Sequence, residues 1–141
     1  MLAALKIKGK TKLKCLPSRN HTEIMFKNVL GVSIKIKKEK KYDYIEIQGQ
    51  TEFKPFNYKI PGDISSASFF IVLTLMSKNS SLVIKNVNTN TSRIGIIKIL
   101  NMMGSKIKLL NSRTYKGEKI SNILIKSNQK LKSINLDPKF N

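Results

Sequence analysis

The chain repeats itself. Leu30-Gly31, followed by Ile34 and Ile36, returns 73 residues later as Met103-Gly104, followed by Ile107 and Leu109. In both places a glycine closes a run of helical period, and an alternation of apolar residues with lysine begins. Glycine is the usual residue just past a helix end, because it enters the left-handed backbone region without steric cost. The order around each glycine is also the same. Residues 11–16 read as a strand, a helix runs from about Asn20 to Leu30, and strands follow at 33–37 and Tyr42–Ile47. Leu82–Val87 then reads as a strand, a helix covers about Arg93–Met103, and Ile107 and Leu109 open the next strand. The last strand lies near Ile120–Lys126, after a longer hairpin through Asn111–Lys119. Two β-α-β-β units at a fixed offset predict an internal structural repeat. Strand faces that alternate apolar and lysine predict helices on one side of each sheet and water on the other. In the first helix Thr22, Met25, Phe26, Val29 and Leu30 form the expected buried stripe, and Asn20 and Glu23 stand at capping-box spacing.

Between the units lies Pro61-Gly62-Asp63-Ile64-Ser65-Ser66-Ala67-Ser68-Phe69-Phe70. Pro61 and Gly62 stop a short strand expected over Phe56–Ile60, and Asp63 is placed to cap a helix whose free N–H groups it satisfies. Ile64, Ala67 or Ser68, Ile71 and Leu75 then recur at helical spacing. Small residues fill the first turns, where another group can approach closely. The physical reading is a hinge followed by a helix aimed N-terminus first at a cleft. It divides the chain into residues 1–60, a hinge at 61–63, and residues 64–141.

Composition narrows the function classes. With 141 residues and 40% apolar content the chain suits one ordinary domain or pieces of two. A net charge of +19 invites a nucleic-acid reading, but 24 of the 27 basic residues are lysine and there is no Trp. Readers of base edges and single strands lean on arginine forks and aromatic platforms. The lysines sit on alternating strand positions (Lys35, Lys37, Lys106, Lys108) and in loops (Lys38, Lys40, Lys41), as solvated faces do. No apolar run approaches the roughly 20 residues that span a bilayer, and Met1–Lys6 has no signal-peptide pattern. A single cysteine, Cys15, reads as a packed thiol compatible with a reducing cytoplasm. His21 is the only histidine, so any metal site or Ser/His pair would rest on it alone. Ser65 and Ser66 have no neighbouring base to activate them. No phosphate-binding glycine loop or dinucleotide fingerprint occurs.

Three stretches in series carry a resemblance. They are Pro17-Ser18-Arg19-Asn20-His21-Thr22-Glu23, then Pro61-Gly62-Asp63-Ile64-Ser65-Ser66-Ala67, then Asn86-Val87-Asn88-Thr89-Asn90-Thr91-Ser92-Arg93-Ile94-Gly95-Ile96 with Met102-Met103-Gly104 behind it. Together they resemble the enolpyruvyl transferase family in its EPSP synthase branch. The first is similar to that branch's Ser-Arg-Asp-His-Thr-Glu stretch, the second to its interdomain crossover, and the third to its Asn-Pro-Thr-Arg-Thr-Gly stretch. Departures are Asn20 for Asp, Ser92 for Thr, and Thr91 where the family has Pro. The resemblance implies an α/β (α+β) fold of repeated β-α-β-α-β-β units in two hinged domains, here a partial set spanning the hinge. It implies transfer of the enolpyruvyl group of phosphoenolpyruvate to the 5-hydroxyl of shikimate 3-phosphate, by addition and elimination, with no metal or organic cofactor. It implies a cytoplasmic, monomeric parent enzyme with those two small-molecule partners, no nucleic acid and no membrane.

Residue by residue, the resemblance places Arg19 against shikimate 3-phosphate. On the residues alone, an exposed Arg19 paired with a carboxylate such as Glu23 is the plainer reading; a guanidinium before a helix start equally suits a phosphorylated polyol. Asp63, Ser65 and Ser66 are expected at the hinge and facing the cleft, Asp63 chiefly as a cap. For Arg93 a salt bridge or carbonyl contact is the plainer reading over a cleft-facing one. The family's N-terminal Lys-Ser and Arg set, Gly-rich loop, Ser-Ala-Gln segment and Asp-Glu-Tyr-Pro-like catalytic loop are absent. Leu2-Ala3-Ala4-Leu5 resembles the last turn of the helix after Ser-Ala-Gln, and Asp137, in an Asp-Pro-Lys context, does not match the catalytic Asp. The expectation is an interior portion of a longer enzyme, with no catalytic residue of its own and inactive alone. Three alternatives stand beside it: a relative acting on UDP-N-acetylglucosamine, against which the Ser-Arg-Asn-His-Thr-Glu stretch argues, a lysine-rich nucleic-acid-binding module, and a stand-alone, inactive scaffold or pseudo-enzyme.

Overall fold

Gly31 and Gly104 both take the left-handed backbone that the repeat predicts, with φ +67° and +102°. The computed structural model describes residues 1–50 and 52–136, and the chain divides into two units, Met1–Tyr58 and Lys59–Asn141. Asp137 lies outside the described residues.

In unit 1 a short 3-10 helix, Leu2–Lys6, leads into β1 (Lys10–Cys15), α1 (His21–Asn28), β2 (Ile34–Lys38) and β3 (Asp43–Gln48). The central strand is β3, antiparallel to β1 on one side and β2 on the other. The register sets Leu13 and Ile36 opposite Ile45, and Lys12 and Lys35 opposite Glu46. Because successive side chains alternate, one face is apolar and the other is a lysine face around Glu46. Phe26 of α1, Val32, and Ala4 and Leu5 of the 3-10 helix cover the apolar face with Ile45 and Ile47.

Three expectations for unit 1 are corrected. In α1 Phe26 alone is buried; Thr22 and Met25 are exposed, and Val29 and Leu30 are half-buried. A two-turn helix over a three-stranded sheet meets the core along one narrow line, so a wide stripe is not needed. The capping box does not form: the Asn20 side chain makes no cap bond, and Glu23 Oε2 is buried without a hydrogen-bond partner. Cys15 is exposed rather than packed. It shares the face of Leu13 but ends the strand beyond the core, with Sγ 3.8 Å from the Asp43 carbonyl oxygen.

Unit 2 comprises α2 (Ile64–Met76), β4 (Ser81–Asn88), α3 (Gly95–Met102), β5 (Lys108–Tyr115) and β6 (Glu118–Lys126). Its strand order, β4-β6-β5, repeats β1-β3-β2, all antiparallel. The offset in the sequence is therefore an offset between two copies of one topology. Ile64, Ala67, Ile71 and Leu75 form the predicted buried stripe of α2 and pack with Ile97 and Leu100 of α3 and Ile123 and Ile125 of β6. The opposite side of α2 is apolar as well: Phe69 is 77% exposed, Leu73 63% and Met76 77%. A helix with apolar residues on two sides and only one of them covered leaves an exposed apolar face.

Two further points concern connections. The second hairpin is the longer one, with strands of 8 and 9 residues against 5 and 6 in the first, and Lys116 and Gly117, both at positive φ, turn β5 into β6 in two residues. No strand forms over Phe56–Ile60. The chain instead makes a single parallel bridge, Gly62 to Val87. With that bridge as a first strand reduced to one position, unit 2 reads β-α-β-α-β-β.

Candidate functional site

The start of α2 is built from its own sequence. Asp63 is extended (φ −80°, ψ 127°), and its Oδ2 accepts from the Ser66 amide at 3.0 Å and the Ser66 hydroxyl at 3.2 Å. This is the N-cap expected of Asp63, and it satisfies a free N–H of the first turn. Its other oxygen, Oδ1, accepts from Arg93 Nη2 at 3.1 Å, and the same nitrogen donates to Ser65 Oγ at 2.6 Å. The salt-bridge reading of Arg93 therefore holds, with a partner 30 residues away in sequence. The arginine side chain is only 16% exposed against 51% for Asp63, so the guanidinium forms the inner part of the pair.

Arg93 is presented by a hydrogen-bonded turn before α3 rather than by the helix itself. Its amide donates to the Asn90 carbonyl at 2.8 Å. The Asn90 side chain accepts from the Ser92 amide at 2.9 Å and donates to the buried Glu118 carboxylate at 3.1 Å. Burial of Glu118 is thus compensated by a donor from the turn, as a buried carboxylate requires. Sequence reasoning missed this bond; nothing in either segment announces a partner on another strand.

The Ser66 amide, then the Ser65 amide, with smaller help from the Ser66 hydroxyl and the Arg93 charge, hold the Asp63 carboxyl below its ordinary value. A carboxyl with a depressed folded pKa binds fewer protons than in the unfolded chain, so its stabilisation exists above the unfolded pKa and fades as pH falls through the folded one. Asp63→Asn keeps a cap acceptor and removes the charge. We expect exchange of the α2 amides to be slower in the parent than in Asp63→Asn at about pH 6, and the difference to shrink towards about pH 3. Asp63→Ala loses the cap as well, costing about 1 kcal/mol. An identical pH response in parent and Asp63→Asn would sink the assignment.

This geometry leaves Asp63, Ser65 and Arg93 engaged with one another. Ser65 Oγ accepts from a guanidinium, which is no activating base. In unit 1, Arg19 is exposed in the turn between β1 and α1, and no hydrogen bond or ion pair holds it among the described residues. The pair with Glu23, which charge alone favours, is not made. The guanidinium keeps its donors available to a ligand. Among the described residues no group of three or more His, Cys, Asp or Glu side chains could hold a metal, and no helix is long and apolar enough to cross a membrane.

Comparison with known proteins bears on both units. The family model described as EPSP synthase (3-phosphoshikimate 1-carboxyvinyltransferase) matches residues 1–139. A curated relative from Petrotoga mobilis, named 3-phosphoshikimate 1-carboxyvinyltransferase, is 43% identical over 129 residues, covering 90% of this chain and 29% of the relative. One of the same name from Thermoanaerobacter sp. is 41% identical over 139 residues, 96% of this chain and 31% of the relative. The solved structure of EPSP synthase from Acinetobacter baumannii superposes with a TM-score of 0.83 at 33% identity, covering 99% of this chain and 30% of that one. The chain spans about 30% of the length of the relatives it matches.

Proposed function

This chain belongs to the EPSP synthase family, and from that membership we propose that it is the crossover-bearing part of an enzyme that moves the enolpyruvyl group of phosphoenolpyruvate onto the 5-hydroxyl of shikimate 3-phosphate. The observation that carries the reading within the chain is Arg19, exposed at the entry to α1 with no partner among the described residues competing for its donors. A guanidinium offers fixed, always-charged donors suited to a phosphate or polyol. Asp63, Ser65 and Ser66 serve the site at one remove, by capping α2 and fixing Arg93 next to the crossover at 61–63. General acid and base groups, and the cations that join Arg19 in holding the two substrates through addition and elimination, come from residues outside this chain. The uncovered apolar side of α2 supports the same reading, since such a face packs under further protein. Action in the cytoplasm, as a monomer and without nucleic-acid or membrane partners, completes the proposal.

The test is a chimaera in which this chain replaces the matching segment of the Petrotoga mobilis relative. Phosphate release from shikimate 3-phosphate and phosphoenolpyruvate is expected from the chimaera and not from the isolated chain. Turnover by the isolated chain would overturn the partial-site reading. A folded chimaera that binds UDP-N-acetylglucosamine, or binds RNA with steep salt dependence, while ignoring shikimate 3-phosphate would favour the corresponding alternative.

A further inference from the structure

Gly62 lies in the hinge expected at 61–63, yet it is bonded on both sides. Its amide donates to the Asn86 carbonyl at 2.8 Å, and its carbonyl accepts from the Asn88 amide at 2.9 Å. Those two groups face the free edge of β4, because β6 occupies the other edge. A bulge sets them there. The β4–β6 register shifts between Ile84 and Val87, Asn86 takes φ +54°, and its amide turns to Asn122 Oδ1 at 2.9 Å. The Asn86 side chain is held in turn by Arg113 Nη2 at 3.0 Å.

Three residues earlier there is a second anchor. The Lys59 amide donates to the Tyr115 hydroxyl, at the end of β5, at 3.1 Å. Lys59–Gly62 therefore crosses the sheet from β5 to β4, over Ile120 of β6, which is only 3% exposed beneath it. The space left under the crossing is small, about 50 Å³.

We propose that Lys59–Gly62 is a strap fixed to unit 2, with Tyr115 and Asn86 as its positioning residues, and that the pivot of the crossover lies N-terminal to Lys59. The proposal refines the crossover reading above and rests on it for its functional meaning. The physical content stands separately: an amide in a bonded bridge exchanges only when the bridge opens, whereas a free loop amide exchanges at once.

Amide hydrogen exchange on the 141-residue chain decides it. The Gly62 and Asn88 amides are expected to be slow, within about 10-fold of Ile123 in β6, while Phe53 and Lys54 exchange near the unprotected rate. Tyr115→Phe is expected to speed the Lys59 amide about 10-fold or more and leave Gly62 and Ile123 unchanged. Gly62 exchanging as fast as Phe53 beside a slow Ile123 would return the pivot to Pro61-Gly62 and overturn the proposal. Acceleration of Ile123 together with Lys59 in Tyr115→Phe, or no change at Lys59, would remove Tyr115 as the second anchor. The functional reading fails on a different result, a folded chimaera that does not bind shikimate 3-phosphate, whatever the exchange pattern.

Discussion

Arg19→Ala, placed in the chimaera with the Petrotoga mobilis relative, is expected to raise the KM for shikimate 3-phosphate by about 10- to 100-fold. The size follows from a hydrogen bond to a charged group, about 1.5–3 kcal/mol, and each 1.4 kcal/mol is about tenfold in an equilibrium constant. The KM for phosphoenolpyruvate should move far less, because the proposed contact is to the other substrate. Arg19→Lys should fall between the two, since an ammonium keeps the charge and loses the planar fork. Folding offers no competing explanation, as Arg19 holds nothing in its own unit among the described residues. Exchange of the β1–β3 amides should therefore be unchanged in Arg19→Ala. Equal losses for both substrates, or none for shikimate 3-phosphate, would remove Arg19 from the site.

The features legible in the sequence were those that depend on local chemistry. A glycine past α1 and another past α3, an aspartate before α2, and apolar–lysine alternation each act within a few residues, and each appears in the structure. The repeated topology followed from the spacing of these signals. What was not legible depends on partners far along the chain. Phe56–Ile60 has strand-like residues, but the free edge of β4 offers it one bridge at Gly62, since the bulge at Asn86 breaks the ladder there. Asn20 has a capping residue's chemistry, yet its backbone (φ −106°, ψ 19°) is not the extended form that aims a side chain at the first turn. At the candidate site, the Asp63 cap was readable and its Arg93 partner was not, because the turn that presents Arg93 is braced by Glu118 on another strand. Arg19 shows the opposite case. Its residues alone favoured a pair with Glu23, which does not form; the family resemblance placed it against shikimate 3-phosphate, the contact proposed above.

Gly49→Ala is expected to be among the most damaging single substitutions in unit 1, although it adds one methyl group at an ordinary backbone angle. Gly49 follows β3 and carries it against the N-terminal 3-10 helix, its amide donating to the Gly9 carbonyl at 2.9 Å, while the Gln50 amide donates to the Leu5 carbonyl at 2.8 Å. A Cβ at Gly49 would fall against the Ile7 carbonyl oxygen and 2.5 Å from that of Ala4. Both are main-chain atoms, so no rotamer change relieves the overlap. The 3-10 helix must move, and Ala4 and Leu5, 3% and 6% exposed, leave the core with it. Overpacking of this kind costs about 1–3 kcal/mol, and the backbone contacts place Gly49 at or beyond the upper end. Gly95→Ala is the comparison. At the start of α3 a Cβ meets nothing within 4 Å, and replacing glycine there stabilises by about 0.5 kcal/mol through helix propensity and the unfolded chain. The same chemical change should thus act with opposite sign at the two glycines. Amide exchange reads it directly: Ile45 and Ile47 of β3 accelerate in Gly49→Ala, and the α3 amides slow or stay unchanged in Gly95→Ala. Protection of β3 that survives Gly49→Ala would mean that the 3-10 helix is not held against the sheet by this close approach.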